Sequence, residues 1–172
     1  AGQNKKRRGI CMAIRQYRVD FRMLHGQVCA AFGSVYGIDE YLVVNAETAK
    51  DDFQVSLLEM AAISSAVRVV SPKEAYGIIT SDDLEGRSTM VVFKEIEDAV
   101  ELIVDLGLGV KSLQISGMFA KTGRNRKQYD LTLFADDQDC AAFRKLEDAG
   151  VDLTFQVVPD YKAKKLSALV RY

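Results

Sequence analysis

Apolar positions along the chain fall into two alternating patterns. Short runs of strand length occur at Met12–Val19, Tyr41–Asn45, Val67–Val70, Thr89–Phe93, Lys111–Ile115, Leu131–Phe134 and Asp152–Val157. Between them lie segments with helical spacing. Gly26–Tyr36 ends at Gly37, a residue suited to a left-handed cap. Glu47–Ala62 places Phe53, Leu57, Leu58 and Ala61 on one face, and Pro72 opens a helix that runs to about Ile79. Ile96–Leu106 is amphipathic and stops at Gly107; Asp137–Ala149 starts with acidic residues and is followed by Gly150. Strands recurring about every 20–25 residues with helices between them predict an α/β fold. The architecture expected is a three-layer α/β/α sandwich with a mostly parallel sheet of six or seven strands.

One connection breaks the alternation. The segment SGMFAKTGRNRKQYD, between the expected fifth and sixth strands, is too polar and glycine-interrupted for a helix and longer than most loops. It carries Lys121, Arg124, Arg126 and Lys127. Ligands of open α/β sheets bind at the carboxyl ends of strands. This basic loop and the loop after the first strand both belong to that edge.

The loop after the first strand holds the candidate chemistry. Tyr17–Val28 reads YRVDFRMLHGQV and contains His25, the single histidine of the chain. Arg18, Asp20 and Arg22 precede it; Gly26 and Gln27 follow and open a helix. Free N–H groups and the helix dipole favour an anion there. Histidine is nucleophilic near neutral pH. Asp20 is placed to accept from one ring nitrogen and fix the tautomer, and Arg22 to hold phosphate oxygens with its planar fork. Arg18, Gly26, Gln27, Lys121 and Arg124 are further candidates for phosphate binding.

Composition limits the alternatives. The chain has 172 residues, 48% of them hydrophobic and 27% charged, with a net charge of −1. That balance fits one globular domain and argues against a protein built around nucleic-acid binding. A weaker reading assigns RNA contact to GRNRK, which lacks interleaved aromatics. Three cysteines without CxxC spacing and one histidine give no zinc pattern, so no metal is expected. No GxxxxGKS or GxGxxG occurs, so no nucleotide cofactor is expected either. Residues 1–11 read as an extension ahead of Met12, and residues 12–172 as the domain.

YRVDFRMLHGQV resembles the active-site signature RxDxRLxHGQV of the IIB subunits of the mannose/fructose/sorbose family of the bacterial sugar phosphotransferase system. The likeness continues through LVVNAETAKDD, EDAVELIVDLGLGVKSLQISGM and LTLFADDQDCAAFRKLEDAGVDLTFQVVPD. It departs at Phe32, where the family carries tryptophan. It departs again in QISGM, where Gln114 and Ser116 replace the asparagine and a glycine of NVGGM. The resemblance implies an α/β sandwich and a cytoplasmic phosphocarrier acting beside the membrane transporter. It implies that His25 takes a phosphoryl group from the phosphohistidine of a IIA partner, with Asp20 and Arg22 as the family's upstream pair. The group then passes to a sugar held by the membrane subunits IIC and IID, without cofactor or nucleic acid. The sugar would be of the mannose, fructose, sorbose or N-acetyl-hexosamine class. A regulatory IIB-like protein using the same surface is the alternative.

Overall fold

The computed structural model describes residues 14–172; the expected extension 1–11 and the start of the first strand lie outside them. Nine strands are present among these residues: β1 (Ile14–Asp20), β2 (Glu40–Val44), β3 (Ala66–Val70), β4 (Thr89–Phe93), β5 (Ser112–Gly117), β6 (Lys127–Asp130), β7 (Leu133–Ala135), β8 (Asp152–Phe155) and β9 (Lys164–Lys165). Seven of them form one sheet in the order β3-β2-β4-β1-β5-β8-β9. Every pairing in it is parallel except that of β9 with β8.

Alternation along the strands divides the core. Tyr41, Val43, Met90 and Val92 face helices α1 (Gly26–Tyr36) and α2 (Asp52–Ala61), with Val28, Phe32 and Leu58 packed on them. Leu42, Val44, Val91 and Phe93 face the other way. They meet α3 (Pro72–Thr80), α4 (Ile96–Val100, continued by a π-helical turn Glu101–Asp105) and α5 (Asp137–Asp148). All five residues of β2 and of β4 are buried, the mark of strands covered on both faces. The three layers and the mostly parallel sheet are those the hydrophobic pattern predicts.

Four details differ from the sequence expectation. The expected sixth strand does not join the sheet. Leu133–Ala135 pairs antiparallel with Lys127–Asp130 as a separate hairpin, tied to β5's end by the Met118–Leu133 bridge. β8 already occupies the place beside β5. The basic connection is therefore partly strand, and the seventh place in the sheet goes to β9. The second helix starts later than expected, after a 3-10 turn Thr48–Lys50. Asp51 restarts it by accepting from the N–H groups of Phe53 and Gln54. Its inner face then carries Leu58, Ala61 and Ala62, leaving Phe53 and Leu57 exposed. The fourth helix widens into the π turn after Val100. The last expected strand stops at Phe155.

Candidate functional site

β1 lies in the middle of the sheet, between β4 and β5. The chain leaves β1 towards α1 on one face, whereas it leaves β4 and β5 towards α4 and α5 on the other. This divergence opens the crevice that α/β sheets use for ligands. The turn after β1 is tight: Met23 N–H donates to Asp20 O at 2.8 Å. Met23 has φ 58°, a left-handed conformation costly for a side-chain-bearing residue. Met23 and Leu24 are buried against the α1/α2 layer, which holds the turn in place. His25 follows as the extended residue capping α1 (φ −146°, ψ 155°), with its carbonyl accepting from Cys29 N–H.

Asp20 is fully buried and serves the arginines. Its Oδ1 accepts from the backbone N–H of Arg22 (3.1 Å) and from Arg22 Nε (3.3 Å). Its Oδ2 accepts from Arg18 Nη2 (3.3 Å) and Ser116 Oγ (3.4 Å). His25 is not among its partners, so the tautomer-fixing role expected for Asp20 has no hydrogen bond behind it. Asp20 instead anchors Arg22. The guanidinium of Arg22 lies over the ring of Phe119 at 5.5 Å, and its Nη2 is buried without a partner. Arg18 is completely buried, with its guanidinium 4.4 Å above the Phe32 ring of α1. Burial lowers it to about 10, still charged at neutral pH, and the charge of Asp20 works in the opposite direction. Arg18 is thus part of the frame beneath the site.

His25 Nε2 is buried with no hydrogen-bond partner among the described residues. Desolvation lowers the imidazole below its ordinary 6.5, and the positive charge of Arg22 adds to the effect while Asp20 opposes it. The result is a neutral, nucleophilic histidine beside a guanidinium with a spare donor. Gly26 and Gln27 supply the first helical turn next to it.

Lys121, Arg124 and Arg126 of the basic loop are engaged with carboxylates, while its Phe119 reaches the cluster through Arg22. Arg124 donates twice to Asp136, once at 2.6 Å, and also pairs with Glu97 and Asp139. Arg126 holds Asp139 with both Nε and Nη2, and Lys121 pairs with Glu95 at 3.1 Å. Lys121 borders a cleft of about 540 Å³ with Asn45, Glu47, Lys94 and Asp98, at the ends of β2 and β4. Arg124 is thus held by carboxylates at the starts of α4 and α5, and Lys121, half exposed, pairs with Glu95 at the start of α4.

Sequence reasoning missed four contributors. Gly117 lies so close to Asp20 that a Cβ would stand 2.7 Å from Oδ1. Ser116 donates to Val19 O and Asp20, Gln114 accepts from Arg18, and Phe119 supports Arg22. The available signal was polar side chains, Gln114 and Ser116, inside a strand that the fold covers on both faces.

Known proteins place the chain in a family. The family model described as "PTS system sorbose subfamily IIB component" matches residues 14–172. The chain is 32% identical over 148 residues to the sorbose-specific EIIB component of the phosphotransferase system of Lacticaseibacillus casei, covering 86% of this chain and 88% of that one. It is 27% identical to the mannose-specific EIIAB component of Escherichia coli K12, covering 92% of this chain and 49% of that longer protein. The crystal structure of the IIB domain of the Klebsiella pneumoniae sorbose permease superposes with a TM-score of 0.81 at 28% identity, over 89% of this chain and 93% of that one. The chain belongs to the sorbose subfamily of phosphotransferase-system IIB components.

Proposed function

We propose that His25 is the phosphoryl carrier of this sugar-phosphotransferase component. A IIA partner presents its phosphohistidine, and a ring nitrogen of His25 attacks the phosphorus. The new P–N bond forms as the donor's breaks, returning the donor imidazole. Because Nε2 is turned into the protein, the reading assigns the attack to Nδ1. The partly exposed guanidinium of Arg22 and the N–H groups of Gly26 and Gln27 receive the phosphoryl oxygens. In the second step a hydroxyl oxygen of a sugar held by IIC and IID takes the group, losing its proton and restoring His25. The sugar belongs to the mannose, fructose, sorbose or N-acetyl-hexosamine class, and the membrane subunits choose it. The protein works on the cytoplasmic side of that transporter. No helix among the described residues is long and apolar enough to cross a membrane.

The observation that carries this reading is the neutral His25 at a helix start, paired with the unpartnered donor of a buried-anchored arginine. The mannose-specific relative, named EIIAB, supports IIA as donor. The test is incubation with phosphoenolpyruvate, the general phosphotransferase components and a cognate IIA. An acid-labile, base-stable phosphoryl group is expected on His25. Equal incorporation by His25→Gln would sink the reading.

A further inference from the structure

The geometry points to Gln114 as a positioning residue for phosphoryl transfer: its carboxamide fixes Arg18 and, through Arg18 and Asp20, the arginine beside His25. The inference rests on His25 as the acceptor, and it concerns how that site is held in register.

Arg18 is completely shielded from bulk solvent. Its Nη1 donates to Gln114 Oε1 at 2.9 Å and its Nη2 to the carbonyl of Val157 at 2.7 Å. Its bond to Asp20 is longer, at 3.3 Å, and its Nε has no partner. The two short bonds therefore set the plane of the guanidinium, and Asp20 follows it. Asp20 in turn is the only acceptor holding Arg22 among the described residues, through Oδ1.

The direction of this series is fixed by chemistry. Arginine only donates, so Gln114 must present its oxygen to Arg18. Gln16 Nε2 donates to the same oxygen at 2.7 Å. The amide NH₂ of Gln114 then faces Gln156 and donates to Oε1 at 2.5 Å. The NH₂ of Gln156 donates to the carbonyls of Pro159 and Tyr161. An unbroken line of donors and acceptors thus runs from the segment after β8 to the histidine turn. Buried polar series of this kind hold one arrangement when complete and lose it when one link is removed.

A purely structural role for Gln114 would change stability and leave the chemistry alone. The two can be told apart because the chain has a single histidine, whose imidazole gives one titration curve by NMR. Gln114→Met keeps the shape and removes the acceptor; Gln114→Glu keeps an acceptor for Arg18. For folded Gln114→Met, the rate constant for phosphoryl acceptance from phospho-IIA should fall about tenfold, with half-saturating donor changed by less than about twofold. The His25 titration should move up towards 6.5 as Arg22 loosens. Gln114→Glu should retain more of the rate than Gln114→Met. A folded Gln114→Met with wild-type rate constant and titration overturns the inference, as do equal losses in the two variants. Should Gln114→Met not fold, Gln156→Met, which removes the acceptor that orients the Gln114 carboxamide, carries the comparison: a smaller shift in the same direction supports it and no shift overturns it. If the wild-type protein takes no phosphoryl group on His25, the reading of the function fails, and the titration alone decides whether Gln114 governs the turn.

Discussion

Partial withdrawal from water and the neighbouring charge of Arg22 push the His25 imidazole below its ordinary 6.5, and both causes have measurable consequences. Arg22→Ala removes the neighbouring charge, so the imidazole should titrate at higher pH in NMR, while transfer should slow about 100-fold with the fold intact. The stability effect has a definite sign. The folded state holds its proton less tightly than the unfolded state, so stability falls as pH drops from about 6.5 through the lowered folded value. His25→Gln should flatten that part of the stability–pH curve in denaturant titrations. Gly117 makes a second test at the same scale. In Gly117→Ala the new methyl group would meet the Asp20 carboxylate, which is buried and cannot swing away. A cost of about 1–3 kcal/mol in chemical unfolding is expected, together with slower transfer. His25, Arg22 and Asp20 were legible in the sequence because unlike charges cluster around a lone histidine before a helix. The bonding of Asp20 to the arginines instead of His25 was not. It depends on Gly117 and Ser116, nearly a hundred residues away, coming alongside β1.

At the level of elements, the start of α5 shows what became of the basic loop. Asp136 and Asp139 cap the helix reciprocally, and Arg124 and Arg126 of the loop before β6 seal both carboxylates. The Arg124 guanidinium holds the Asp136 carboxyl well below the usual carboxylate range. The stability this contributes is present above the unfolded value of 3.8 and is lost as pH falls further. Arg124→Met should cost about 1–2 kcal/mol at neutral pH in thermal or denaturant unfolding and leave phosphoryl transfer within about twofold of wild type. A large loss of transfer with no loss of stability would return Arg124 to the phosphate site. Helix starts with local signals were readable: Pro72 behind Ser71, and Asp137 behind Asp136. Of the hairpin β6–β7, only β7 was readable, as the expected strand Leu131–Phe134; β6 was not, because its four residues are polar and largely exposed and carry no apolar run. The phase of α2 was misread because Asp51 restarts the helix, and a capping side chain leaves little trace in hydrophobic spacing.

For the molecule as a whole, the alternation of strands and helices was enough to predict the layers, but the order of strands was not in it. Placing β4 between β2 and β1 requires the chain to turn back after β3, and no local pattern encodes that return. The reversal gives β1 neighbours whose helices lie on the opposite face, which creates the crevice holding His25. The far side of the sheet ends differently. β9 covers the edge of β8, and the turn that follows buries Leu166 and Val170 completely. Truncation after Ala163 should remove both side chains, uncover the edge of β8 and lower stability by several kcal/mol, about 2 for each side chain, seen as a lower melting temperature.

β1 has one further consequence. Its buried end serves as a supporting beam of the central sheet and as the bed of the histidine turn, through the same two side chains, Arg18 and Asp20. In a mutational scan these positions should give no separation between variants that lose abundance and variants that lose turnover. Asp20→Ala would remove the counter-charge of two guanidinium groups at once, and the cell would register missing protein before it registered a slow carrier. Adaptation of the chain to a new partner must therefore proceed through residues outside that beam, on surfaces where a substitution changes recognition without lowering the amount of folded protein.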